Sequence, residues 1–316
     1  MMYQTFPKVE LHLHLDGSMR IQTACELLQL KEEIVKKKME APISCDSLTD
    51  YLQVFDLPIS LLQTKENLTR VTKELGEDLK QDGVIYAEVR FCPLLHIQKG
   101  LTPQEVIEAV LEGISKAPVK MNLILCMMRH FSLEQNQMII KLAQQYHLPL
   151  DLAGDEAKYP TEHFSSLFSE INQYHIPFTI HAGESGNIDS LQAAFSFQAK
   201  RIGHGIQVVN SEVLLQEADQ QKVHFEICPT SNIQTKAVSS YEKHPIAQLY
   251  KMGYSLSVNT DNRTVSHITL SEEYEKLAHT FHWNQEDFKK INFNAIDVAF
   301  LSEEEKEKLK AIIKAV

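Results

Sequence analysis

Eight short apolar runs, separated by helical stretches and each closing on a polar or reactive residue, restrict this chain to few folds. They cover 8–15, 84–93, 121–128, 148–154, 178–184, 201–206, 224–230 and 254–261. Runs of this length with little polar alternation read as strands covered on both faces, the pattern of a parallel sheet between helices. Eight of them alternating with helices predict an α/β protein, a (β/α)8 TIM barrel, in which the C-terminal strand ends meet at one mouth. His12, His14, His181, His204 and Asp261 fall at those ends. Residues far apart in sequence are therefore expected to share one small volume.

His12 and His14 stand two apart on a strand, so both side chains point to the same face. With His181 at the end of the fifth strand and Asp261 at the end of the eighth, which neighbours the first in a closed barrel, they make three imidazoles and a carboxylate. That set suits Zn2+, and iron, cobalt or nickel would also accept it. Glu184, where the fifth strand turns into a loop, would be a partly desolvated carboxyl beside a metal, with the raised pKa of an acid or base. His204 lies between Gly203 and Gly205, which allow backbone or ligand to come close. Both are read as catalytic.

A formal net charge of −11 over 316 residues, with no basic stripe to offset it, argues against a nucleic-acid partner. Lysines 36–38 are flanked by acidic residues and read as a solvated helix face. The five cysteines include no CxxC pair, which fits a reducing compartment. Cys92, Cys126 and Cys228 fall in expected strands and read as small apolar residues. No stretch is long and apolar enough to span a bilayer, and a strand starting near residue 8 leaves no room for a signal peptide before it. A cytoplasmic protein with no membrane partner is expected.

The expected organisation is one domain over 1–316, containing a helical insertion at 16–83 after the first strand and a helical tail after Asp261. Helices are expected over 21–39 and 65–79. Between them Leu48, Tyr51, Leu52 and Phe55 fall at i, i+3, i+4 and i+7, an apolar face on a short helix. By periodicity this face simply packs on the barrel; the alternative is that it roofs the mouth and excludes water. Ser302 followed by Glu305 marks the start of a last helix.

Several segments in this order carry a resemblance. They are Val9-Glu-Leu-His12-Leu-His14-Leu-Asp16-Gly17, Asp151-Leu-Ala-Gly154-Asp-Glu156, His181-Ala-Gly-Glu184, Arg201-Ile-Gly-His204-Gly205, Cys228-Pro229 and Asn259-Thr-Asp261, followed by Ile291-Asn-Phe-Asn294 and Phe300-Leu-Ser-Glu-Glu-Glu305-Lys306. The chain resembles the adenosine deaminases, the purine branch of the metal-dependent amidohydrolase barrels, almost end to end. The resemblance implies hydrolytic deamination of adenosine and 2′-deoxyadenosine to inosine or 2′-deoxyinosine and ammonia, with a small purine nucleoside as partner and a place in purine metabolism. It implies one Zn2+ per chain on His12, His14, His181 and Asp261. Glu184 would protonate purine N1, and His204 would hold the attacking hydroxide, with Asp261 and His204 taking the water's proton. His14, Asp16, Gly154 and Asn262 would contact substrate: Asp16 at the ribose 5′-hydroxyl, Gly154 through its N–H at N3. Leu48, Tyr51, Leu52 and Phe55 would match the hydrophobic lid. Related barrels with two metals use a carboxylated lysine at the end of strand four, and here Lys158 lies well past it.

Asn262 departs from the usual pattern, in which a second aspartate contacts N7; an amide also donates there, at any pH. An anionic Asp16 would repel a 5′-phosphate, which favours a free nucleoside. Adenine deaminases tend to carry glutamate at that position and methyl-AMP deaminases asparagine. A sister deaminase of adenine or of another 6-aminopurine nucleoside is the alternative, and a non-catalytic purine-binding barrel a remoter one.

Overall fold

The computed structural model describes residues 2–42, 45, 48–185 and 188–316, with the backbone alone over 48–50. Among the described residues there are eight strands, β1 Lys8–His14, β2 Val84–Phe91, β3 Lys120–Met128, β4 Leu150–Ala153, β5 Ile180–Ala182, β6 Arg201–His204, β7 His224–Ile227 and β8 Ser255–Val258. They pair in parallel as β1-β2-β3-β4 and β5-β6-β7-β8. Single parallel bridges join the two sheets at both seams, Leu150 to Phe178 and Leu13 to Asp261. At the second seam the N–H of His14 donates to the carbonyl of Asp261 (2.8 Å) and the N–H of Asp261 to that of His12 (3.1 Å). The ring is thereby closed, and β1 and the end of β8 lie side by side as expected.

Nearly every strand residue is buried, which explains the unbroken apolar runs. The strands are shorter than the runs because their C-terminal residues leave the ladder and curl over the mouth. Glu184 lies beyond β5, and Asp261 beyond β8. Cys126 is in β3, while Cys92 and Cys228 fall just past β2 and β7. All three are buried, and burial pushes their thiols up, that of Cys92 to about 12, which disfavours the thiolate.

Beneath the mouth the barrel interior is charged. Arg90 of β2 reaches Asp151 of β4 (3.0 Å) and Glu226 of β7 (2.8 Å). Arg201 of β6 reaches Glu226 (2.7 Å) and Glu88 of β2 (2.6 Å). All five side chains are buried. Such a network is weak evidence for net stability, since desolvation offsets the attraction. What it does is hold Asp151 and Glu226 in place from below.

The insertion after β1 contains the helices Ile21–Leu28, Glu32–Met39, Leu48–Gln53, Asp56–Leu61 and Lys65–Gln81. The helix expected over 21–39 is broken at Gln29, whose left-handed backbone (φ 54°) caps the first segment by donating to the carbonyl of Cys25. The apolar face is also split: Phe55 lies beyond Gln53 and precedes the next helix. The side chain of Leu48 lies outside the described residues. Tyr51 forms a small cluster with Ala41, Cys45 and Val265, backed by Leu52 and Phe55 and separate from the main core.

After β8 come the helices Leu270–Phe281, Gln285–Val298 and Glu303–Lys314, the last opened by the Ser302–Glu305 capping box. Their Ala295, Ile296, Ala299, Leu309 and Ile313 pack on Val9, Leu11 and Tyr86. Asn292 ties them to β1 by accepting from the N–H of Val9 (2.8 Å). No described helix is long and apolar enough to cross a membrane.

Candidate active site

The mouth gathers the five metal-type residues. Nε2 of His14 lies 3.2 Å from Nε2 of His181. Oδ1 of Asp261 lies 3.3 Å from Nε2 of His12 and 3.4 Å from Nε2 of His14. Ligand-type atoms of His12, His181, His204 and Asp261 fall within 4.8 Å of one another. Gly203 makes room for this crowding, because a Cβ there would sit 2.8 Å from the His12 ring.

Carboxylates stand behind two of the imidazoles. Nδ1 of His12 donates to Glu226 (2.9 Å), and Nδ1 of His181 to Asp151 (2.9 Å). A neutral imidazole that donates through Nδ1 keeps a lone pair on Nε2, the atom aimed at the mouth. Burial works against ionisation of Asp151, yet His181 and Arg90 hold its carboxyl below the usual range. Burial likewise opposes ionisation of Asp261, and His12, His14 and His204 outweigh it. Ser231 donates to the other oxygen of Asp261, Oδ2 (2.7 Å), which turns Oδ1 toward the histidines.

Glu184 is buried at the edge of the cluster, Oε2 3.7 Å from Nε2 of His204. Burial, with the charges of Asp261 and Glu156, pushes its carboxyl well above the usual range, and Arg129 only partly offsets this. The group is thereby biased toward its protonated form. His204 and Asp261 both adopt left-handed backbone, φ 60° and 61°, which costs non-glycine residues on the order of 1–3 kcal/mol.

A cavity of about 410 Å³ opens above these groups. Asp16, Gly154 and Asn262 line it with His14, His181, Glu184, His204 and Asp261, and Tyr51, Leu52 and Phe55 cover it from the insertion. Burial raises the Asp16 carboxyl to about 6. Gly154 has φ +108°, and its missing side chain would meet nothing closer than 3.6 Å, so backbone conformation and not space demands glycine there. Asn262 uses one N–H on the Tyr51 hydroxyl (3.1 Å), which also pairs with Ser266 (2.7 Å). The insertion is thus tied to the mouth by a polar contact as well as by apolar packing.

The residues fit a cation. Imidazole nitrogens of His12, His181 and His204 and a carboxylate oxygen of Asp261 lie within 4.8 Å of one another, Nε2 of His14 lies 3.2 Å from that of His181, and among the described residues the buried Nε2 of His12 makes no hydrogen bond of good geometry. Lone pairs so placed repel one another unless a positive charge sits among them. A nitrogen-rich set with one oxygen is a common divalent transition-metal site.

Sequence reasoning missed the supports: Asp151, Glu226 and Arg90 below the histidines, Ser231 behind Asp261, and Glu156 and Arg129 around Glu184. Arg129 donates to the carbonyl of His181 (2.5 Å). A signal was present, since a charged residue inside an otherwise apolar strand, as in Val84–Phe91 or His224–Ile227, must find a buried partner.

The sequence profile of the adenosine deaminase family matches residues 7–316. An adenosine deaminase of Clostridium perfringens is 42% identical, with 97% of this chain and 98% of that one covered. Among solved structures, the N6-mAMP deaminase of Arabidopsis superposes with a TM-score of 0.90 at 27% identity, covering 100% of this chain and 99% of that one. The adenine deaminase of Arthrobacter aurescens gives 0.88 at 22% identity, covering 98% of each chain, a likeness of fold.

Proposed function

The chain belongs to the adenosine deaminase family and is an enzyme that hydrolytically deaminates adenosine, and on that premise we propose how its residues divide the work. The reaction adds water at purine C6 and releases ammonia. Glu184 donates a proton to N1, which makes C6 a better electrophile. Its burial, its protonated bias and its place beside His204 are the observation that carries this reading.

His12, His14, His181 and Asp261 would hold one Zn2+ per chain. What such an ion supplies when bound is Lewis acidity and a water acidified to a pKa of about 7. The Asp261 carboxylate accepts the water's proton in this reading, and His204 orients the attacking oxygen. Asp16 binds the ribose 5′-hydroxyl, and the N–H of Gly154 reaches N3. Asn262 has a second amide N–H beyond the one given to Tyr51, and that one serves N7. Tyr51, Leu52 and Phe55 form the lid of a single domain and exclude water while the ring is activated. 2′-Deoxyadenosine is proposed as a second substrate, as the family resemblance implies. Five cysteines outside any disulfide, four of them buried, fit work in the cytoplasm.

Zinc-loaded protein assayed by the absorbance change on loss of the amine, against adenosine, 2′-deoxyadenosine, adenine and AMP, tests the reading. Turnover of the two nucleosides is expected. Preference for adenine or AMP would overturn the assignment of Asp16.

A further inference from the structure

Asn232 and His244 lie behind His204, outside the lining of the cavity, yet they decide which of its ring nitrogens carries a proton. The N–H of Ile246 donates to Nδ1 of His244 (3.1 Å). An amide N–H can only donate, so Nδ1 of His244 bears a lone pair and the ring's single proton is on Nε2. That N–H donates to Oδ1 of Asn232 (3.2 Å). The amide orientation follows: Nδ2 of Asn232 donates to Nδ1 of His204 (3.0 Å). Nδ1 of His204 is then an acceptor, and its proton sits on Nε2, the nitrogen facing Glu184.

The alternatives fail on donor counting. With the Asn232 amide reversed, His244 would need lone pairs on both nitrogens and no proton at all. A doubly protonated His204 would set an N–H against the N–H of Asn232. Both contacts are buried, where such mismatches are expensive.

The contrast with the neighbouring histidines is informative. His12 and His181 have carboxylates behind Nδ1 and present lone pairs at Nε2. His204 has an amide N–H behind Nδ1 and presents a donor. The same residue type is made a ligand in one case and a hydrogen-bond donor in the other by the group behind it.

We infer that Asn232 and His244 are positioning residues that hold His204 as its Nε2–H tautomer, so that it donates a hydrogen bond to the oxygen adding at C6 and neither binds the metal nor accepts the water's proton. This rests on the reading of the site given above and leaves Asp261 as the proton acceptor.

The direct test is long-range 1H–15N NMR of the zinc-loaded enzyme labelled with 15N-histidine, the His204 signals being assigned by their loss in His204→Gln. A protonated Nε2 and bare Nδ1 are expected. A protonated Nδ1 would overturn the inference, and this measurement needs no variant of Asn232. The second test is Asn232→Asp, of nearly the same shape, whose carboxylate would draw the proton to Nδ1. Turnover is expected to fall about 10²–10⁴-fold, the range for loss of a correctly protonated catalytic histidine, with zinc content and KM nearly unchanged. His244→Gln, which can still donate to Asn232, is expected to retain most of the turnover lost in His244→Ala. Asn232→Asp with native kcat would overturn the positioning role. Wild-type enzyme with the expected tautomer but no turnover of adenosine would instead overturn the reading of the site.

Discussion

Oε2 of Glu156 accepts the backbone N–H of Glu184 at 3.0 Å, so one buried carboxylate positions another by its main chain. The same group takes the N–H of Gly183 (2.7 Å) and of Ser185 (3.1 Å). The loop after β5 is thereby held in the one shape that aims Glu184 at the mouth. Glu156→Ala is expected to leave these donors unpaired in the interior, at about 1–3 kcal/mol for each one that water cannot reach. Thermal unfolding should show the loss of stability, and kcat should fall even where the protein is fully folded.

Glu184 has a simpler test. Glu184→Gln keeps the size and leaves the backbone hydrogen bond to Glu156 in place but cannot give up a proton to N1. Metal content should be unchanged, and kcat should fall by about 10²–10⁴, the range for a general acid. Near-native turnover would remove Glu184 from the chemistry.

Asp16 is expected to show itself in KM. Asp16→Ala should raise KM for adenosine about 10- to 100-fold, the worth of a hydrogen bond to a charged group. The KM for 5′-deoxyadenosine should hardly move. Equal effects on both substrates would place Asp16 elsewhere than at the 5′-hydroxyl.

Asp151 touches no substrate, and its effect should reach the metal. Asp151→Asn can still accept from Nδ1 of His181 but no longer supplies the charge that Arg90 and His181 share. Zinc affinity, measured by competition with a chelator, is expected to drop about 10- to 100-fold, as for other residues that orient a ligand from behind.

Acid stability offers a check away from the site. Burial lowers the pKa of His96 to about 4 and those of His224 and His244 to about 3. Between those values and the unfolded value near 6.5 the unfolded chain binds the extra protons, so stability is full above about pH 6.5 and is lost as pH falls. Each histidine contributes about 1.4 kcal/mol per pH unit within that window. His224→Asn should therefore flatten the dependence of Tm on pH between 6.5 and 4.5. An unchanged slope would show that His224 is not buried in its neutral form.

The barrel was legible because its strands are covered on both faces and therefore leave continuous apolar runs, and all eight were found near their observed places. The helical insertion was less so. A single residue in left-handed backbone, Gln29, divides what periodicity reads as one helix, and periodicity carries no record of it. The apolar face of Tyr51, Leu52 and Phe55 was visible, but whether it faced the barrel wall or the mouth depended on where the insertion folds back.

What the amino-acid sequence determined by itself was the inventory and its placement: which residues stand at strand ends, and hence which of them a closed barrel brings together. His12, His14, His181, His204, Glu184 and Asp261 needed only topology to meet. Only the tertiary structure decided what each would do there. The role of an imidazole or a carboxyl depends on the group behind it, whether Glu226 behind His12, Asn232 behind His204 or Glu156 under the Glu184 loop. Those partners come from other strands, and hydrogen bonding is a matter of a few ångströms that sequence separation does not encode.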